Sequence, residues 1–417
     1  MPAPRVAEVT DAVHDDGQVD RDADAPGPLD GVRILDLTRL LPGGMLGALL
    51  GDLGADVVKV EEPGRGDYLR AMGATIGPQS AASWVLGRNK RSIAVDLKRP
   101  EGVELLLRLV ERSDVLVEGF RPGVADRLGV GYDAVRGRNP QIVYASLTGY
   151  GRDGPMAAVA GHDINYIAYA GVLAITGPPG GPVCPPGVQV ADLGGASFLG
   201  VGLLAALYRA SRTGTGSRVE VALYDAALAW TSMHAGQYWA TGQVPGPGDM
   251  LLNGGYPCYG VYECADGRYL SVGALEPGFW AAFCAGIARE DLVPRSYDPS
   301  ARAEVAGVLL GRSRDEWVRV LGPVDACVAP VLDLGEALAH PMAAARHMVL
   351  QAPIDHRGSA SAPTLASPVR VDGLGSRVRT APPALGEHTV ALAREAGLSP
   401  QEVDALLASG VLAQPGR

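Results

Sequence analysis

The sequence predicts an α/β fold: a large domain on a parallel sheet flanked by helices, joined to a smaller α+β domain. Two observations carry this. Short Val/Ile/Leu runs alternate between positions 32 and 147 with helical stretches of about 10–14 residues, the signature of βαβ units. A second group of strand-like runs, 256–276, follows only after a long helical region.

Taken in order, residues 1–27 are acidic, turn-rich and poor in large apolar side chains, which reads as a disordered leader ending at Pro26-Gly27-Pro28. Order begins with the run Val32–Leu37. An apolar helix (Met45–Leu53) and a strand (Asp56–Val60) follow. The alternation continues with strand Ser92–Leu97, helix Pro100–Arg112, strand Asp114–Val117, two short helices and strand Ile142–Leu147. Pro100 suits a helix start, where its missing N–H costs nothing. The pattern is helical from 164 to 212, broken by the Gly/Pro loop Thr176–Gly187. Ala265-Asp266-Gly267 marks a hairpin turn. These features set the expected bounds: a large domain over 28–221, a small one over 222–320, then a return and helical tail over 321–417. Asp325–Val331 is read as a strand rejoining the first domain.

Composition narrows the function. At 47% hydrophobic and 20% charged residues the chain can build a large core. Its 36 Lys+Arg against 46 Asp+Glu give −10, and half of that charge sits in residues 1–24, which disfavours nucleic acid and anionic membranes as partners. Only Lys59, Lys90 and Lys98 are lysine. Five cysteines without CxxC spacing argue for reduced thiols in the cytoplasm and for core positions, and seven scattered histidines form no metal motif. The start lacks the basic and apolar regions of a signal peptide. The apolar run Leu193–Tyr208 falls short of the roughly 20 residues a membrane span needs.

Several residues are candidates for chemistry. Leu41-Pro42-Gly43-Gly44 follows the first strand but is neither GxGxxG nor a Walker motif. Gly161-His162-Asp163-Ile164-Asn165-Tyr166 follows a sheet strand, where α/β ligand sites usually lie. His162 offers a base that titrates near neutrality, with the Asp163 carboxylate in the same turn. The bland alternative makes Asp163 a helix N-cap and His162 a buried imidazole. Asp192 opens the long apolar helix; it is a second acid/base candidate or, again, a cap. Glu276 ends an apolar strand and either orients an imidazole or is simply solvated. Arg121 and the cluster Arg88-Asn89-Lys90-Arg91 suit phosphate or are surface charge. Trp230, Met233, Tyr238, Met250 and Trp280 line an acyl pocket or belong to the core. His234, His340, His347, His356 and His388 read as structural or exposed.

From 29 to 413 the chain resembles the family III CoA-transferases (the CaiB/BaiF type), whose fold is shared with α-methylacyl-CoA racemases. The segments that carry the resemblance include DGVRILDLTRLLPG, LGDLGADVVKVEEP, RNKRSIAVDLK, DVLVEGFRPGVADRLG, YASLTGYGRDGP and DACVAPVLDLGEALAHP. It implies a Rossmann-like large domain and an interlocked homodimer with each active site between two subunits. GHDINY, QVADLGG and GALEPGFW are similar to the racemase branch, which implies 1,1-proton transfer on a 2-methylacyl-CoA through an enolate. His162 and Asp192 would be the opposed acid and base, Glu276 would hold the imidazole and Asp163 would support it. CoA is then part of the substrate and no cofactor or metal is expected. The implied CoA contacts are Val95, Asp96, Leu97 and Lys98, then Gly119, Phe120, Arg121 and Arg127, then Gly161 to Tyr166. In the transferase alternative Asp163 is the nucleophile, moving CoA between a thioester and a carboxylic acid. A CoA-ester binder without catalysis is a third reading. The chain departs from the pattern at Glu62, where such racemases can carry arginine, and at Gly260, where many carry Asp.

Overall fold

The computed structural model describes residues 26–354, 360–373 and 375–416. The expected leader, apart from Pro26 and Gly27, and His356 lie outside the described residues. Two compact units emerge. The first comprises the chain up to Tyr166, Val190–Ala226 and everything from Ala339; the second comprises Ile167–Gln189 and Ala227–Leu338.

The strands of the first unit begin with β1 (Arg33–Leu37), β2 (Asp56–Glu61) and a short hairpin of β3 (Thr75–Ile76) and β4 (Gln79–Ser80). They continue with β5 (Lys90–Val95), β6 (Val115–Glu118), β7 (Val143–Thr148) and β8 (Ser217–Ala222). The second unit holds β9 (Tyr259–Glu263), β10 (Tyr269–Gly273) and β11 (Val328–Pro330). The returning chain adds the antiparallel pair β12 (Val349–Pro353) and β13 (Ser361–Leu365), and finally β14 (Leu412–Ala413).

The central sheet has the order β14-β5-β2-β1-β6-β7-β8. All neighbours are parallel except β14, which pairs antiparallel with β5 and covers that edge. Without β14 this is the 3-2-1-4-5-6 order of doubly wound sheets, with its switch point between β1 and β6. The strands read as continuous Val/Ile/Leu runs because both faces are covered: Leu35, Val58, Ile93, Leu116 and Tyr144 are fully buried. Helix Pro100–Val110 has proline in its first turn and presses Leu105, Leu106, Leu109 and Val110 onto the sheet. Ser399 and Glu402 form a reciprocal capping box on helix Pro400–Ala408.

The Val190–Thr213 helix packs on helix Leu40–Asp52 and on β7 and β8. At 24 residues and a mean hydropathy of 1.8 it is long and apolar enough to cross a membrane, which the shorter apolar run in the sequence did not suggest. Its Leu199, Leu203 and Ala206 are buried, while Phe198, Val201 and Tyr208 form a second, outward apolar stripe at helical spacing.

In the second unit a three-stranded antiparallel sheet, β11-β10-β9, covers a core of Trp280, Phe283, Leu270, Cys258, Cys264 and Cys284. Gly267, at φ +72°, turns the β9–β10 hairpin in the left-handed region. Three expectations need correction. Val328–Pro330 does not rejoin the first unit: it pairs with Leu270–Val272 at the edge of the second sheet. The return therefore comes at Ala339 rather than 321, and 167–189 belongs to the second unit. Cys184 and Cys327 are exposed rather than core.

Candidate active site

In the first unit a cleft of about 580 Å³ opens at the carboxyl ends of β1, β2, β5 and β6, astride the switch point. Thr38 and Arg39 follow β1, Glu62 and Arg65 follow β2, Val95 to Lys98 end and follow β5, and Phe120 follows β6. Of the expected CoA-contacting residues, Val95, Asp96, Leu97, Lys98 and Phe120 line it. Gly119 joins β6 to Phe120, and Arg121 and Arg127 are exposed on the next segment.

The cleft holds cations that the sequence reading missed. The Arg39 guanidinium lies 5.6 Å from the Tyr68 ring centroid and 6.0 Å from that of Phe120. Arg65 is on the wall. Glu62 is bonded to Lys98 at 2.7 Å; that bond, with Arg39 and Arg65 nearby, holds its carboxyl below the usual range. The signal for Arg39 was its place two residues beyond a parallel strand. Arg88-Asn89-Lys90-Arg91, considered for phosphate or surface, is neither: the first three are buried. Arg88 pairs with Asp52 at 2.6 Å, and Arg91 with Asp56 at 2.6 Å and Glu395 at 2.7 Å.

His162 and Asp163 stand at the start of the short helix Asp163–Tyr169. His162 is exposed, so the buried-imidazole alternative fails. Its backbone N–H donates to Asn165 Oδ1 at 3.0 Å, which makes Asn165 the stabiliser of this turn. Asp163 Oδ1 instead accepts from the N–H groups of Ala191 at 2.7 Å and Asp192 at 3.1 Å. Asp163 thus satisfies two orphan donors in the first turn of the Val190–Thr213 helix, tying the two candidate segments together across 28 residues. Asp192 is the third residue of that helix and is half-buried. Burial, and then the neighbouring Asp163 charge, raises its carboxyl to about 6.

The Tyr166 hydroxyl donates to the Gly161 carbonyl at 2.5 Å, and its ring meets Tyr150 edge-on at 5.0 Å. A Cβ on Gly161 would sit 2.7 Å from the Tyr166 ring, so this loop closes only with glycine. Burial, reinforced by the Asp192 charge, pushes the Tyr166 phenol up to about 12.

Glu276 lies in the second unit, as the residue preceding helix Pro277–Gly286, where it makes no capping bond. That unit has its own cavity of about 650 Å³, whose walls include Asn253, Gly254, Tyr259, Gly260 and Arg302. The Arg302 guanidinium fills the space beside Gly260 that a Cβ would otherwise occupy. Trp280 is core, whereas Trp230, Met233 and Tyr238 are exposed and Met250 is partly exposed. Among the described residues no group of three or more His, Cys, Asp or Glu could hold a metal ion.

The chain matches the family described as CoA-transferase family III over residues 29–389. It is 36% identical over 386 residues to the α-methylacyl-CoA racemase of Mus musculus, covering 90% of this chain and 95% of the relative. It is 34% identical over 405 residues to an acyl-CoA transferase of Fusarium pseudograminearum, covering 93% and 88% respectively. Among solved structures, a CaiB/BaiF family protein from Brucella suis superposes with a TM-score of 0.79 at 29% identity, covering 89% of this chain and 100% of that one.

Proposed function

Since the chain belongs to CoA-transferase family III, we propose that it is a racemase or epimerase of 2-methylacyl-CoA thioesters, inverting the α-carbon by 1,1-proton transfer. One side chain removes the α-proton to leave an enolate; the other delivers a proton to the opposite face. His162 and Asp192 fill these roles; Asp163 holds the Ala191 and Asp192 N–H groups, and the positive end of the Val190–Thr213 helix favours the developing oxygen charge. Glu276 keeps the role that the resemblance implies for it, orienting the imidazole from the small domain of a second copy of the chain. The CoA phosphates meet Arg39, Arg65 and Lys98, which supply the contact expected from an arginine at 62. Proton transfer between two side chains needs no cofactor beyond the CoA of the substrate.

The observation that carries this reading is the division of labour between two aspartates. Asp192 is the carboxylate tuned toward neutrality, as an acid/base group should be, while Asp163 spends one oxygen on two backbone N–H groups. A second reading, CoA transfer with Asp163 as nucleophile, is favoured by the similarity to the Fusarium acyl-CoA transferase. Chiral analysis of a single-enantiomer 2-methylacyl-CoA, in parallel with labelled carboxylic acids as CoA acceptors, separates the two. We expect loss of optical purity without acceptor; CoA transfer with retained configuration would replace this reading with the second.

An interlocked cytoplasmic homodimer completes the proposal. Val201 and Tyr208 are 69% and 65% exposed, an apolar stripe that a second copy of the chain would cover. Val201→Glu should therefore halve the mass seen by sedimentation while leaving the far-UV spectrum intact. An unchanged mass would remove this face from the interface.

A further inference from the structure

Beside the cleft lies a buried cluster that proton transfer does not use. Asp36, Lys59, Asp67 and Lys90 are each at least nine-tenths buried, and they come from β1, β2, the loop after β2 and β5. Lys59 Nζ lies 3.4 Å from Asp36 Oδ2 and 3.2 Å from Asp67 Oδ2; Lys90 Nζ lies 4.0 Å from Asp36 Oδ2 and donates to the Gly44 carbonyl at 3.0 Å. Charges this deep are costly unless they are paired, and removing one leaves its partners exposed to that cost.

The cluster grips a single turn, Thr38-Arg39-Leu40. Asp36 Oδ1 accepts from the Thr38 N–H at 2.9 Å and from the Thr38 hydroxyl. Lys59 donates to the Thr38 carbonyl, and Asp67 Oδ1 accepts from the Leu40 N–H at 3.1 Å. Leu40 has φ +64°, a conformation leucine rarely adopts, so the turn depends on these outside bonds. Between the two tethered residues Arg39 reaches into the cleft beside Tyr68 and Phe120.

We propose that Asp36, Lys59, Asp67 and Lys90 are positioning residues that set Arg39 against an anionic group of the ligand, and that ligand binding is coupled to protonation of Lys90. This rests on the reading that the cleft takes the phosphates of CoA. Lys59, Glu61 and Asp67 line both the cleft and a smaller chamber of about 40 Å³ that Lys90 also lines, so ligand charge acts on Lys90 across one layer of side chains. The chamber has room for a water molecule, and Asp67 Oδ2 has no partner in hydrogen-bond geometry among the described residues.

The charged groups acting on Lys90 are Asp36, Lys59, Asp67 and Arg88, with the Glu61–Arg70 pair across the chamber. Helix Leu40–Asp52 presents Gly44 and Gly47 to it, and helix Ala81–Gly87 presents no charge to the chamber. Burial, with Lys59 and Arg88 adding to it and the two aspartates opposing, lowers the Lys90 ammonium to about 8. A phosphate in the cleft favours the charged form and raises it. The ligand therefore prefers protonated Lys90: affinity is flat below about 8 and falls as pH rises through the window above it.

The test is calorimetric titration of the full chain with CoA lacking its thiol (desulfo-CoA), from pH 7 to 9.5, in buffers of different ionisation enthalpy. We expect proton uptake on binding above pH 8 and an affinity about tenfold weaker at the top of the range for a one-unit rise in the Lys90 value. Lys90→Met should flatten that profile. Arg39→Ala and Asp67→Asn should each weaken binding about tenfold, with the double variant little worse than either. Binding to the wild type without proton uptake, or additive effects of the two substitutions, would overturn this inference alone. No binding to the wild type would instead remove CoA from the cleft. Should Asp67→Asn or Lys90→Met fail to fold, proton uptake by the wild type still decides.

Discussion

Asp192→Asn is expected to lower α-proton exchange by about 10²–10⁴-fold and, at the same time, to make the protein more stable at neutral pH. Both effects have one cause. Burial and the Asp163 charge raise the folded-state Asp192 carboxyl to about 6, so the ionised form is disfavoured in the fold. A raised carboxyl contributes stability at low pH, where it is protonated, and loses it as pH rises through the folded value. Asparagine removes the charge. After allowance for the partial exposure of the side chain, the gain at pH 7 is on the order of 1–2 kcal/mol. Thermal unfolding should show a higher midpoint than wild type at pH 7 and little of that gain at pH 4, close to the unfolded carboxyl value. In the wild type, exchange should fall on the acid side through about 6 as Asp192 becomes protonated. Equal midpoints at both pH values, with activity retained, would remove Asp192 from the chemistry.

The second large effect separates His162 from Asp163. His162 is exposed and bonded here through its backbone, so His162→Ala should cost little stability and about 10²–10⁴-fold in exchange. Asp163→Asn keeps an oxygen for the Ala191 and Asp192 N–H groups and should retain most of the exchange. By removing a negative neighbour it should also move the acid limb of the pH profile below about 6. Asp163→Ala loses the capping bonds and should cost about 1–2 kcal/mol. A chain that moves CoA through an Asp163 anhydride reverses the order, with Asp163→Asn inactive and His162→Ala tolerated. Rates of exchange and transfer for the three variants give the answer directly.

Five of the six parallel strands were legible because, buried on both faces, they are largely apolar runs between helices, a pattern local in sequence; the edge strand β8, Ser217–Ala222, alternates exposed Arg218 and Glu220 with less exposed residues and was missed. The other features that escaped were non-local. Val328–Pro330 has the composition of any short strand, and only its pairing with β10 assigns it to the second unit. An aspartate at the head of Asp163–Tyr169 reads from sequence as the cap of its own helix; that Asp163 serves a helix beginning 27 residues later follows from the tertiary approach alone. Arg39 looked like one arginine among 33, because its role comes from the cluster that tethers its neighbours. A composition signal did exist there: in a chain with three lysines, the two fully enclosed ones, Lys59 and Lys90, face the same two aspartates.

Proton transfer at the α-carbon is read out in D₂O. A single-enantiomer 2-methylacyl-CoA is incubated with the purified protein and no acid acceptor, and the α-proton is followed by NMR alongside chiral analysis. We expect deuterium entry at the α-carbon with loss of optical purity, both suppressed in Asp192→Asn and His162→Ala. An α-proton that persists in a range of acyl chains, with configuration retained, would contradict it.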